Sequence, residues 1–209
     1  MVNPVASEVS SSTTTELELP FINGPADLPQ HSVLTLSNYG VQGTRITPKI
    51  VVFRADEYAQ YSELTAGILA ALKSPYVEGQ PLPQALGGDN PIQVHSLDFK
   101  NGHGIRQVEQ INQAPVPLNN EELFYFFRGV TNDGQYFIQA VLPIQSALLP
   151  ANSNLDAPLP PLGMPFNVND PAGYLKAIVQ KLNAAAPGSF TPTVEELDML
   201  LESLEVRGL

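Results

Sequence analysis

Residues 123–144, LFYFFRGVTNDGQYFIQAVLPI, set two aromatic and β-branched runs on either side of Asn132, Asp133 and Gly134, the strongest short-range signature of a β-hairpin. A type I′ turn centred on Asp133 and Gly134 places Val130 opposite Phe137, Arg128 opposite Gln139 and Phe126 opposite Val141. Tyr125, Phe127, Ile138 and Leu142 then share the other face. Both faces are mostly apolar, so the hairpin belongs in the middle of a sheet covered on at least one side.

The rest of the chain supplies the remainder of that sheet and helices to cover it. Residues 33–36 and 49–53 are β-rich runs and predict strands. Residues 56–74 repeat Leu64, Ile68, Leu69 and Leu72 at helical spacing and stop at Pro75, which predicts one helix with an apolar stripe. Prolines and glycines across 75–91 predict a long loop. Residues 92–99 and 105–111 predict a second hairpin, with Gly102 and Gly104 permitting the reversal and His103 at its tip. Their imperfect alternation predicts a bulge near Ser96. Residues 145–169 interleave apolar side chains with five prolines, among them Pro150, Pro158 and Pro165, and read as a stiff strap lying flat on the sheet.

Two helices close the chain. Asp170 caps the first and Pro171 occupies its opening turn, with Tyr174, Leu175, Ile178, Val179 and Leu182 as the buried stripe. The second starts at Thr191-Pro192 or at Thr193 with Glu196 as a capping box, ahead of Val194, Leu197, Leu200, Leu201 and Leu204. Residues 203–206 read as a last short strand. Strands, helix, antiparallel strands and two closing helices predict an α+β fold: a twisted, mainly antiparallel sheet with helices packed on it.

With 209 residues, one buried domain spanning 21–209 is expected. Residues 1–20 are rich in serine and threonine and read as a disordered tether. No cysteine is present, which removes disulfides, thiolate metal sites and cysteine nucleophiles. The formal charge of −11 repels phosphate backbones, and the five arginines are scattered, so no nucleic-acid partner is expected. No window approaches the roughly 18 consecutive apolar residues of a membrane span.

The run Leu97-Asp98-Phe99-Lys100-Asn101-Gly102-His103-Gly104-Ile105-Arg106, with Leu123-Phe124-Tyr125, Asp133-Gly134-Gln135-Tyr136 and Ser189-Phe190-Thr191-Pro192, resembles uncharacterised exported lipoproteins of environmental bacteria. That resemblance spans roughly residues 33–206. More distantly, the sheet, the long hairpin and the terminal helix ending in Ser-Leu-Glu-Val look like the PsbP-like fold, whose members are mostly lumenal or secreted accessory proteins. These resemblances imply an extracytoplasmic location, secreted or tethered by a lipid upstream of this chain. They bring no site residues with them.

The one concentration of reactive groups lies around the 92–111 hairpin: His95, Asp98, His103, Arg106 and Glu109. Their spacing matches no compact metal motif, and Arg106 facing Asp98 across the hairpin as a structural ion pair is the favoured reading. Arg128, the lone charge inside the strongest strand, either marks a cleft or, on the plainer account, emerges at a sheet edge or snorkels to water along its apolar stem. Binding candidates are therefore Asp98, His103, Arg106 and Arg128. No G-x-S-x-G elbow or phosphate loop occurs, and no catalytic residue, metal ligand or cofactor is assigned. The expectation is a non-enzymatic extracytoplasmic accessory or binding domain with an unidentified protein or small-molecule partner. Its alternatives are a hydrolase or metal-dependent enzyme with a site near the 92–111 hairpin, and a structural component of a cell-surface assembly.

Overall fold

The computed structural model describes residues 5–6, 8–17, 26–88, 90–111 and 114–208. Seven strands form one antiparallel sheet: β1 (Glu8–Leu17), β2 (Ala26–Ser37), β3 (Lys49–Arg54), β4 (Ile92–Phe99), β5 (Gly102–Glu109), β6 (Phe124–Thr131) and β7 (Tyr136–Pro143). Their order is β1-β2-β3-β7-β6-β5-β4, so the hairpin formed by β6 and β7 is central, as its apolar faces require. Two short strands, β8 (Gln145–Ser146) and β9 (Phe190–Thr191), pair separately. The helices are α1 (Ala55–Tyr61), α2 (Glu63–Leu72), α3 (Pro171–Asn183) and α4 (Val194–Glu202). No helix among the described residues is long and apolar enough to cross a membrane.

Period-two alternation sorts the sheet residues into two cores. On one face Ile50, Val52, Tyr125, Phe127, Ile138 and Leu142 pack with α3 and α4 through Ile178, Leu182, Val194, Leu197 and Leu201. On the other, Val51, Phe53, Ile105, Phe126, Phe137 and Val141 pack with Tyr58, Ile68 and Leu72 of α1 and α2, and with Leu86 from the loop beyond. The result is an α+β fold with helices on both faces of an antiparallel sheet.

The central hairpin has the expected register, Val130 to Phe137, Arg128 to Gln139 and Phe126 to Val141. Its turn differs from type I′. Only Gly134 has positive φ, at 70°, and its N–H donates to the Thr131 carbonyl at 2.8 Å. Asp133 Oδ1 accepts from the Thr131 hydroxyl at 2.6 Å and from the Gln135 N–H at 3.0 Å, so the carboxylate braces the turn and a single positive φ suffices.

Several expectations are corrected. Residues 8–17, read as part of a tether, form edge strand β1, whose Ser11, Ser12 and Thr13 pair with Leu34, Val33 and Ser32. Neighbouring strand β2 supplies the ordering that the polar composition of β1 lacks. The other tether positions 1–4, 7 and 18–20 lie outside the described residues, as does Asp89 in the 75–91 loop. The single helix over 56–74 is two, broken at extended Ser62. There the Ser62 hydroxyl accepts from the Thr65 N–H at 3.1 Å and the Thr65 hydroxyl from the Ser62 N–H at 3.0 Å, a capping box that restarts the helix while the apolar period runs through.

In the second hairpin only Lys100 and Asn101 make the reversal, because Phe99 pairs with Gly102. The glycines serve close packing instead. A Cβ on Gly102 would lie 2.1 Å from Phe99 Cζ, and one on Gly104 would lie 2.6 Å from Phe127 Cζ. The bulge falls between Ile92 and His95, with Gln93 at φ 54°, and not at Ser96. Gln93 is held there because its N–H donates to Asn183 Oδ1 at 2.6 Å and its amide donates to carbonyls at the end of α3. Residues 203–206 form no strand, and Asn101 pins them by donating to the Val206 carbonyl at 2.7 Å and accepting from its N–H at 3.1 Å.

The capping of α3 by Asp170 and of α4 by the Thr193–Glu196 box is as expected. The 145–169 strap covers the core at its two ends only. Leu148 and Leu149 are buried and the Phe166 ring stands edge-on to Tyr174 at 5.0 Å. Leu155, Leu159 and Leu162 in the middle are exposed, where Asn154 and Pro160 turns fold the strap onto itself.

Candidate functional site

The face covered by α1 and α2 is not wholly apolar. Alternation along β5 brings Gln107 and Glu109 to it, β6 adds Arg128 next to Phe126, and β7 adds Gln139 directly across from Arg128. Gln107, Glu109 and Gln139 are each 3% exposed or less, so this is a buried polar floor within an aromatic core. Such groups cost free energy unless they are hydrogen-bonded or satisfied by something else.

Arg128 does not emerge at an edge. It lies in a central strand, its guanidinium 4.5 Å from the Phe126 ring centroid, and donates from Nη1 to the Ala85 carbonyl at 3.2 Å and from Nη2 to the Leu86 carbonyl. It lines a cavity and is part-exposed there. Burial pulls its pKa down while the negative charge of Glu109 pulls it up. The guanidinium stays charged at neutral pH. Gln107 Nε2 donates to Glu109 Oε2 at 2.8 Å and to the Leu86 carbonyl at 3.3 Å. Gly88 brings its backbone down on Glu109, where a Cβ would meet Oε2 at 2.2 Å. Two atoms of the floor stay unmatched, Gln139 Nε2 and Gln107 Oε1, neither of which has a hydrogen-bond partner among the described residues.

Above this floor is a cavity of about 300 Å³, at the small end of the ~300–1,000 Å³ common for ligand pockets. Glu109, Arg128 and Gln139 line it, with apolar walls from Leu28, Phe53 and Ile68. Its rim is unusual for a water-facing surface: Tyr61, Leu64 and Ile111 are 48%, 66% and 41% exposed. The hydroxyls on the lining have structural duties, since Ser62 and Thr65 are engaged in the α2 capping box. The Tyr58 phenol is pushed up to about 12 by burial and is protonated at neutral pH. Chemically the cavity offers an apolar sleeve over a hydrogen-bonding base whose one cation and one anion offset each other.

The other sequence candidates do not share this site. Arg106 points to the opposite face, where its Nε donates to Asp198 Oδ1 at 3.2 Å and Nη2 to Oδ2 at 3.4 Å, and the Tyr125 hydroxyl donates to Oδ1 at 2.8 Å. The expected pairing of Arg106 with Asp98 is therefore wrong. In the strand register Arg106 faces His95 and Asp98 faces His103, because the two-residue reversal that pairs Phe99 with Gly102 sets them so. His103 is in β5, not at a turn tip, and its Nε2 lies 3.0 Å from the Leu72 carbonyl. His95 pairs with Glu78. Among the described residues no group of three or more His, Asp or Glu side chains is placed to hold a metal ion. Of the named candidates only Arg128 enters the cavity, joined by Glu109 from the wider cluster.

Sequence reasoning did not single out Gln107, Gln139 or Asp198. Gln139 was within reach, because the hairpin register sets it against Arg128, and two polar residues opposite each other in a central apolar hairpin need a shared explanation. No protein-family model, no curated protein and no solved structure matches this chain.

Proposed function

We propose that this chain is a non-enzymatic extracytoplasmic binding domain that holds a small organic molecule in the cavity between the sheet and helices α1 and α2. One observation carries the binding role: an apolar cavity with an exposed apolar rim ends on buried Glu109 and Gln139 beside half-buried Arg128, and among the described residues Gln139 Nε2 has no hydrogen-bond partner. A chain that needed this region only for packing would be more stable with leucine-like side chains in those places. The resemblance to exported lipoproteins supports the location.

The binding role is tested by screening a chemically diverse metabolite library for compounds that raise the melting temperature, next to Leu64→Trp. Leu64 is 66% exposed on the rim, so the indole crowds the mouth with little cost to folding. Compounds that stabilise the parent chain and not Leu64→Trp support the reading. A library with no such compound overturns it. Protease accessibility in intact native cells tests the location, and full protection until lysis would place the protein inside.

A further inference from the structure

The composition of the cavity floor also specifies what kind of head group the ligand carries, an inference that rests on the cavity being the binding site. We infer that the ligand is an uncharged amphiphile, an aliphatic chain ending in a hydroxyl-type head, bound head-down against Gln139 with the chain running out past Tyr61, Leu64 and Ile111.

Three features of the floor lead there. Its formal charges cancel, Arg128 against Glu109, so a charged head would arrive beside a like charge whichever sign it had. A carboxylate gains little from Arg128, because Nη1 and Nη2 already donate to the Ala85 and Leu86 carbonyls and the guanidinium face lies on Phe126. It would also be desolvated near Glu109, in a molecule of net charge −11. An ammonium would meet Arg128 and lose its hydration with no free carboxylate to replace it, since Glu109 already accepts from Gln107. What the floor lacks is a partner for the Gln139 side-chain amide, whose Nε2 is buried and unmatched. A hydroxyl both accepts and donates, so it satisfies that amide whichever way the amide is turned.

The walls decide the rest of the molecule. The sleeve is mainly apolar, through Leu28, Phe53, Ile68 and Phe126, its Ser62 and Thr65 hydroxyls are engaged in the α2 capping box, and Leu64 and Ile111 carry the apolar surface outward to solvent. Affinity should therefore rise with chain length by about fourfold per methylene until the sleeve is full.

The test uses the full chain and three probes that share one alkyl chain: octanol, octanoate and octylammonium, measured by titration calorimetry at neutral pH. Octanol is expected to bind at least about tenfold more tightly than either charged probe, the ratio that one buried, unmatched polar contact is worth. Leu64→Trp should weaken it. Gln139→Leu should weaken octanol about tenfold while melting at or above the parent temperature, because it removes a buried donor that no group among the described residues satisfies. Gln139→Met serves as a second variant if Gln139→Leu does not fold. Tighter binding of octanoate or octylammonium overturns the neutral head and leaves the cavity standing. Unchanged octanol affinity in both Gln139 variants overturns the role of Gln139 alone. Equal binding of octanol to the parent and to Leu64→Trp, or binding of none of the three, overturns the cavity as well.

Discussion

The two faces of the central sheet each take in an arginine, and they treat it in opposite ways. Under α3 and α4, Arg106 meets a carboxylate with both nitrogens of its fork, and Tyr125 occupies the same carboxylate from the adjacent strand. Under α1 and α2, Arg128 meets backbone carbonyls and a ring, and among the described residues its neighbours Gln107 and Gln139 keep unmatched atoms beside a cavity. One face is closed chemistry that fastens a helix. The other is open chemistry that a ligand can complete. A buried charge is therefore no guide to function by itself, and the useful signal is whether its surroundings are satisfied by the chain alone.

The largest effect should come from opening the closed face. Asp198→Ala leaves Arg106, with only 9% of its side chain exposed, without its carboxylate, and also strips the Tyr125 hydroxyl of its acceptor. A loss of about 3–5 kcal/mol is expected from urea unfolding, the range for an orphaned buried charge. A loss under about 1 kcal/mol would show that α4 is not fastened by this contact.

The same operation on the open face should cost less. Arg128→Met deprives the Ala85 carbonyl of its donor, but the Leu86 carbonyl keeps Gln107. About 1–3 kcal/mol is expected. Adding Glu109→Gln should recover part of that loss, because the remaining buried negative charge is neutralised. A double-mutant cycle measures it, and strict additivity would contradict any coupling across the floor.

How much of this contrast could be read from the chain depends on how local each signal is. The central register, the Asp170 cap and the Thr193–Glu196 box are written within a few residues of where they act, and each is present in the structure. The break at Ser62 was hidden because a capping box and a continuous apolar period coexist over the same residues. Strand β1 has a polar composition and gains order only by pairing with β2. The partner of Arg106 is 92 residues away on another element, and no spacing rule reaches that far. The cavity needs β5, β6, β7, α2 and the loop at Gly87 and Gly88 to converge, so only its Arg128–Gln139 pair was legible in advance.

Smaller effects should separate the two faces at their helix starts. Thr193→Ala removes the hydroxyl that accepts from the Glu196 N–H, and Ser62→Ala removes the one that accepts from Thr65. Each should cost about 1 kcal/mol. Only Ser62 lines the cavity, so only Ser62→Ala should also weaken the binding of a cavity ligand, measured by calorimetry beside the melting temperature. Equal loss of binding in both variants would mean that affinity follows global stability and not the local frame of α2.

The smallest effect concerns His31, which sits across from Phe53 on the same side as α1 and is 2% exposed. Its Nδ1 lies 2.7 Å from the Pro29 carbonyl, its Nε2 has no hydrogen-bond partner among the described residues, and its ring centroid is 4.7 Å from that of Phe53. Burial lowers its pKa from 6.5, the Pro29 carbonyl opposes that, and the charge of Lys49 lowers it further. A histidine depressed in the folded state binds fewer protons there than in the unfolded chain, so stability rises with pH through this range. Its contribution is complete above the ordinary value and is lost as the pH falls below 6.5 towards the folded-state pKa. Unfolding free energy measured between about pH 5 and pH 7 should show this slope, and His31→Phe, which does not titrate, should flatten it. An unchanged slope in His31→Phe would move the acid sensitivity off this histidine and onto the carboxylates.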